Sequence, residues 1–133
     1  MSTITLMETD YAILWYHPEA KIIHHHFYKF NYGQHLRSLL ETGLNALKQH
    51  GAQKWLSDDR NSSALPQSDI DWSLTDWIPK MIDNGWKYWA VVLPDKIVGK
   101  ATMQRVIDAY TPLGITIQVF DDPDLALQWL ESV

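Results

Sequence analysis

Trp86-Lys87-Tyr88-Trp89-Ala90-Val91-Val92-Leu93, followed by Pro94-Asp95-Lys96, is the stretch that decides the fold. Its large side chains occupy both alternating sets of positions: Trp86, Tyr88, Ala90 and Val92 on one, Trp89, Val91 and Leu93 on the other. A strand apolar on both faces belongs in the interior of a sheet that is covered on both sides. The same rhythm runs outward from it. Between Trp55 and Leu130 apolar strands alternate with amphipathic helices, and each strand ends in a polar turn: Ser57-Asp58-Asp59-Arg60, Pro94-Asp95-Lys96, then Asp121-Asp122. Strands separated by helix-length segments predict βα units and parallel pairing.

The elements around that strand follow from local chemistry. Ser68 and Asp71 read as a capping box opening a helix, with Ile70, Leu74, Trp77, Ile78, Met81 and Ile82 on one face. Pro79 lacks an N–H and meets the carbonyl of Thr75, so this helix is expected to kink or split there before Gly85 ends it. A helix over Gly99 to Tyr110 buries Met103, Val106, Ile107 and Tyr110, and Pro112 and Gly114 stop it before the strand Ile115–Phe120. Asp122 as N-cap and Pro123 at the first helical position start a last helix with Ala126, Trp129 and Leu130.

Upstream, the strands Thr3–Met7, Tyr11–Tyr16 and Lys21–Tyr28 are joined by turns too short for a crossover, which predicts an antiparallel meander. A helix from Tyr32 to His50 follows, with Asn31 as expected N-cap, Leu36, Leu39, Leu40, Leu44 and Leu47 on one face, and Gly51 at the left-handed position after it. Gln53 to Asp58 is the next strand. The order βββ-α-β-α-β-α-β-α describes one α/β domain over residues 1–133: an N-terminal antiparallel meander, then parallel βα units in a mixed sheet, with about four helices.

A chain of 133 residues, 46% apolar and 20% charged, suits one globular domain. Seven Trp and six Tyr imply an aromatic-rich core. The net charge of −5, with eleven scattered basic residues, argues against a nucleic-acid partner. With no cysteine, disulfides, thiolate nucleophiles and cysteine-bound metal centres are excluded. No apolar run approaches the roughly 20 residues of a membrane span, and the start is not a signal peptide, so a cytoplasmic protein is expected.

Lys54-Trp55-Leu56-Ser57-Asp58-Asp59-Arg60, Trp77-Ile78-Pro79-Lys80, Gly85 to Pro94, and Val119-Phe120-Asp121-Asp122-Pro123 with Ala126-Leu127-Gln128-Trp129-Leu130 together resemble the small bacterial STAS/SpoIIAA-like proteins. The resemblance covers nearly the whole chain, most clearly from residue 54. It implies a SpoIIAA-like βα fold, a role in protein–protein regulation, and a more distant likeness to lipid-binding SEC14-type domains. One departure matters. The anti-sigma-factor antagonists of that family carry their phosphorylated serine in an Asp-Ser-Ser-Gly turn, whereas the loop here reads Asn61-Ser62-Ser63-Ala64-Leu65-Pro66. The switch therefore transfers to no particular serine, although Ser62 and Ser63 are the phosphorylation candidates.

Ligands in open α/β sheets bind at the carboxyl ends of strands, which points to Asp58, Asp59, Arg60 and Asp95, with Lys96, Asp121 and Asp122 beside them. Carboxylates so placed can hold Mg²⁺, but Asp is also the ordinary residue of such turns and caps. His24 and His26 share a strand face at a spacing able to hold a transition metal, with a third ligand to come from His17, His35 or a carboxylate that the sequence does not place; a half-exposed strand face is the favoured reading, and no metal site is expected. Trp72 and Trp77 are candidates for a partner or dimer interface, Trp72 as a rim aromatic and Trp77 as part of the buried stripe. A phosphate loop at Gly99-Lys100 fails because Pro94 stands where its first glycine belongs.

No catalytic constellation, cofactor fingerprint or metal motif occurs. The reading is therefore a non-enzymatic STAS-like interaction module, working on a partner protein or as a homodimer. The alternative is a domain binding a small apolar, lipid-like ligand, motivated by the aromatics of Trp86–Trp89 and the break at Pro79. As an enzyme, Asp58, Asp59 and Arg60 would be its metal ligands or acid–base pair.

Overall fold

A computed structural model describes residues 3–133. The strands are β1 Ile4–Glu8, β2 Ala12–His17, β3 Ile22–Phe27, β4 Lys54–Asp58, β5 Tyr88–Val92 and β6 Thr116–Phe120. The helices are α1 Gly33–His50, α2 Gln67–Trp72, α3 Ile78–Asp83, α4 Ile97–Tyr110 and α5 Pro123–Ser132. One six-stranded sheet holds the strands in chain order, β1-β2-β3-β4-β5-β6. The first three pair antiparallel and the last four parallel, as the short N-terminal turns and the later helix-length connections require. The expected α/β class, mixed sheet and four helical units are all present.

α2 runs into α3 through a π-helical segment, Ser73–Trp77, so the two are one interrupted helix. Ile78 donates its N–H to the Ser73 carbonyl, five residues back. The widened turn ends just ahead of Pro79, which lacks an N–H of its own, and so the expected break takes the form of a π-bulge rather than a sharp bend.

Parallel strands laid down in one direction with right-handed crossovers put every connecting helix on the same face. α1, α2–α3 and α4 accordingly share a core with Ile23, Trp55, Trp89 and Val91. α5 alone lies on the reverse face, where Ala126 and Leu130 meet Ile22, Leu56, Ala90 and Val92. β5 is buried on both sides, as its sequence predicts. Trp86, however, precedes the strand and packs with Trp89 rather than with Ala90 and Val92.

Two expected caps are replaced. Asn31 does not cap α1: it is buried and donates to the carbonyls of Tyr11 and Lys29, tying the start of α1 to the meander. Ser68 does not cap α2, which begins one residue earlier behind Pro66. Asp69 serves the start of α1 instead, accepting the Gly33 N–H at 3.0 Å and the Arg37 Nε–H at 3.1 Å, and so pins α1 to α2. By contrast Gly51 adopts φ 63° after α1, and the Asp122 carboxylate accepts the Asp124 N–H at 2.9 Å, both as expected. Among the described residues no helix is long and apolar enough to cross a membrane.

Candidate functional site

β4 distributes its side chains by the period of two. Trp55, Ser57 and, just past the strand, Asp59 face α1–α4, while Leu56 and Asp58 face the other way. On β3 the same alternation sends Ile23, His25 and Phe27 toward the helices, and β5 adds Trp89. These side chains, closed over by Trp77, Trp86 and Tyr110, surround a cavity of about 60 Å³. At roughly 10–15 Å³ per water, that is room for about four to six water molecules.

Its walls are aromatic. Trp55 meets Trp77 edge to face at 5.3 Å, Trp77 meets Trp86 at 5.6 Å, and Trp86 meets Trp89 at 5.7 Å. Tyr110 closes the series 5.2 Å from Trp89. Each ring has its polar atom bound within the protein. Trp77 Nε1 donates to the Leu40 carbonyl, Trp86 Nε1 to the Tyr88 carbonyl and Trp89 Nε1 to Ser57 Oγ. The Tyr110 hydroxyl donates to Ser73 Oγ at 2.7 Å, and burial pushes its pKa up. A ligand entering this space thus meets ring faces, not indole donors.

Gly43 makes the seat for Trp55. A Cβ there would overlap the indole, so only glycine lets α1 lie this close to β4. The polar floor is a short relay. Trp55 Nε1 donates to His25 Nδ1 at 3.0 Å, which leaves the His25 proton on Nε2, and Nε2 donates to Asp59 Oδ1 at 2.8 Å. Both ring nitrogens of His25 are therefore occupied, and neither is free to take a proton from a substrate. Asp59 is only 3% exposed.

The strand-end residues singled out in the sequence do not assemble into one site. The pleat separates Asp59 from Asp58, which lies on the α5 face in a two-pronged pair with Arg60 at 2.9 Å for each contact. Burial works against the Asp58 carboxylate, but the Arg60 hydrogen bonds and the neighbouring His26 outweigh it and hold its pKa below the ordinary value. Arg60 is raised by the same bond. Asp95 is exposed and meets Arg60 through the backbone, its N–H donating to the Arg60 carbonyl. The expected crevice needs a reversal of strand order. Strands in chain order from β3 to β6 contain none, so these residues edge no crevice.

Trp77 is 4% exposed and walls the cavity, so it offers no surface to a partner. Trp72 is half-buried, with the Arg37 guanidinium 5.2 Å over its ring. Ser62 is buried and Ser63 half-buried, both at the cavity. His24 and His26 do share a face, but not a ligand set. His17 Nε2 lies 3.0 Å from His24 Nδ1, His26 meets Asn61, and His35 stacks on Tyr11. Among the described residues no three His, Cys, Asp or Glu side chains are grouped to hold a metal ion. Burial, with His17 beside it, lowers the His24 pKa to about 3.

Sequence reasoning passed over His25, Ser57, Asp69 and Tyr110. The signal for the first two was the period of two itself, which places His25 between Ile23 and Phe27 and Ser57 between Trp55 and Asp59 on the core side. No family model, curated protein or solved structure matches this chain.

Proposed function

We propose that this protein binds a small, largely apolar ligand in the cavity between its sheet and the α1–α4 layer. The observation that supports the reading is an unfilled, aromatic-walled space in a core otherwise packed closely around it. Protein interiors fill such gaps, and a concave apolar site with a few fixed polar groups is the usual form of a ligand site. The size argues for a ligand of about one ring or a short branched chain, rather than the long lipid tail that a SEC14 likeness suggests. The occupied nitrogens of His25 favour binding over acid–base chemistry. In keeping with the STAS-like resemblance, the bound state would be passed to a partner protein in the cytoplasm.

The test is thermal unfolding of the purified protein with and without indole and ethylbenzene. Stabilisation grows as RT ln(1 + [L]/Kd), about 2.7 kcal/mol at a ligand concentration near 100 Kd, which raises the melting temperature by several degrees. No shift with either compound, together with native mass spectrometry showing no co-purified small molecule, would refute the reading.

A further inference from the structure

The cavity is bordered by a carboxylate with one oxygen left over, beside the hydroxyls of Ser62 and Ser63. Asp59 lines it, is nine-tenths buried, and has one oxygen held by His25; its Oδ2 has no hydrogen-bond partner among the described residues. That oxygen borders the cavity rather than packed protein, so a donor can reach it there, and a carboxylate oxygen out of bulk water favours one. Its position is held by the Trp55–His25 relay, so the carboxylate cannot swing away to find a partner elsewhere. The other buried carboxylate at the cavity, Asp69, has both oxygens occupied by Gly33 and Arg37.

The chemistry of the walls says what kind of donor belongs there. No lysine or arginine lines the cavity, so the positive complement of Asp59 is not supplied by the residues around it. Ring faces attract a cation through their quadrupoles, most strongly when water is excluded, and four of the rings here are indoles. A neutral hydrocarbon would fill the space but leave Asp59 Oδ2 unpaired. An anion would be repelled by it.

We infer, building on the ligand-binding reading above, that the cavity takes a small organic amine in its protonated form, with the ammonium group on Asp59 Oδ2 and the apolar body among the indoles of Trp55, Trp77, Trp86 and Trp89. Specificity would then come from a single charge-assisted hydrogen bond in an otherwise apolar site.

Titration calorimetry and tryptophan fluorescence at pH 7 with benzylammonium, ethylbenzene and benzoate test this. Benzylammonium should bind about ten- to a hundredfold more tightly than ethylbenzene, the range expected for one hydrogen bond to a charged group, and benzoate should not bind. Asp59→Asn, which retains an oxygen to accept from His25, should remove that preference while ethylbenzene still binds. Ethylbenzene binding as tightly as benzylammonium to the wild-type protein overturns the amine inference and leaves the apolar-ligand reading intact; that comparison needs no variant to fold. If none of the three binds, both fall.

Discussion

Trp55 and Leu56 are neighbours in β4 and serve opposite faces of one sheet, and those faces are closed in different ways. Beneath α5 the contact is made by small and branched side chains, Ala126 and Leu130 against Ile22, Leu56, Ala90 and Val92. Beneath α1–α4 large rings meet edge to face, and rigid rings in T-shaped contact leave a space that no neighbour fills. The polar groups differ in the same sense. On the α5 face His24 keeps a buried Nε2 with no partner, and burial lowers its pKa. On the cavity face Asp59, with no donor to its Oδ2 among the described residues, borders a space. If the amine inference holds, the first appears as a shifted titration and the second as affinity.

Three measurements would break or sharpen that contrast. At neutral pH the largest effect is expected for Leu56→Ala, which opens a gap in the apolar contact under α5 and should cost about 2–5 kcal/mol in denaturant unfolding. Binding of benzylammonium by the folded fraction should be unaltered; a loss of affinity would mean that the two faces are coupled.

Acid comes next. His24 is neutral in the folded state down to about pH 3, but its unfolded form takes a proton near the ordinary value of 6.5. The unfolded chain therefore binds more protons between those limits, so stability present above pH 6.5 is lost progressively as pH falls toward 3. The loss should approach about 4–5 kcal/mol. His17, His26 and Asp58 are all lowered and add with the same sign, Asp58 below its ordinary value of 3.8. His24→Leu should flatten the curve of unfolding midpoint against pH; an unchanged slope would assign the acid sensitivity to another group.

The smallest effect concerns Gly43. Alanine in a helix interior gains about 0.5–1 kcal/mol over glycine, whereas overpacking costs about 1–3 kcal/mol, and the overlap with the Trp55 indole makes the second outweigh the first. Gly43→Ala should lower stability by about 1–2 kcal/mol and weaken ligand binding, because it displaces the ring whose N–H anchors His25. Higher stability in this variant would show that the indole moves aside freely.

Much of this architecture is legible without coordinates, for reasons that differ from residue to residue. β5 can be read because both of its faces are apolar, Pro79 because a missing N–H has one consequence in a helix, and Asp122-Pro123 because cap and first turn are adjacent. Asn31 fails as a cap because the group that meets the start of α1 comes from Asp69, 36 residues away, and local pattern cannot see it; Ser68 fails because α2 begins behind Pro66. The cavity was hinted at by the dense aromatics and the break at Pro79. Its floor was not, because Asp58-Asp59-Arg60 reads as one cluster until the pleat is applied past the end of the strand. Gly43 looks like a weak point in α1 until the ring beneath it is known.

The strand order has a consequence for how the chain comes together. Each strand lies beside the one made just before it, so no strand has to wait for a partner translated later, and every ladder closes over the shortest stretch of chain available to it. The meander can form first and each βα unit can dock on an edge that already exists. α5, made after all six strands, then covers a face that they have already assembled.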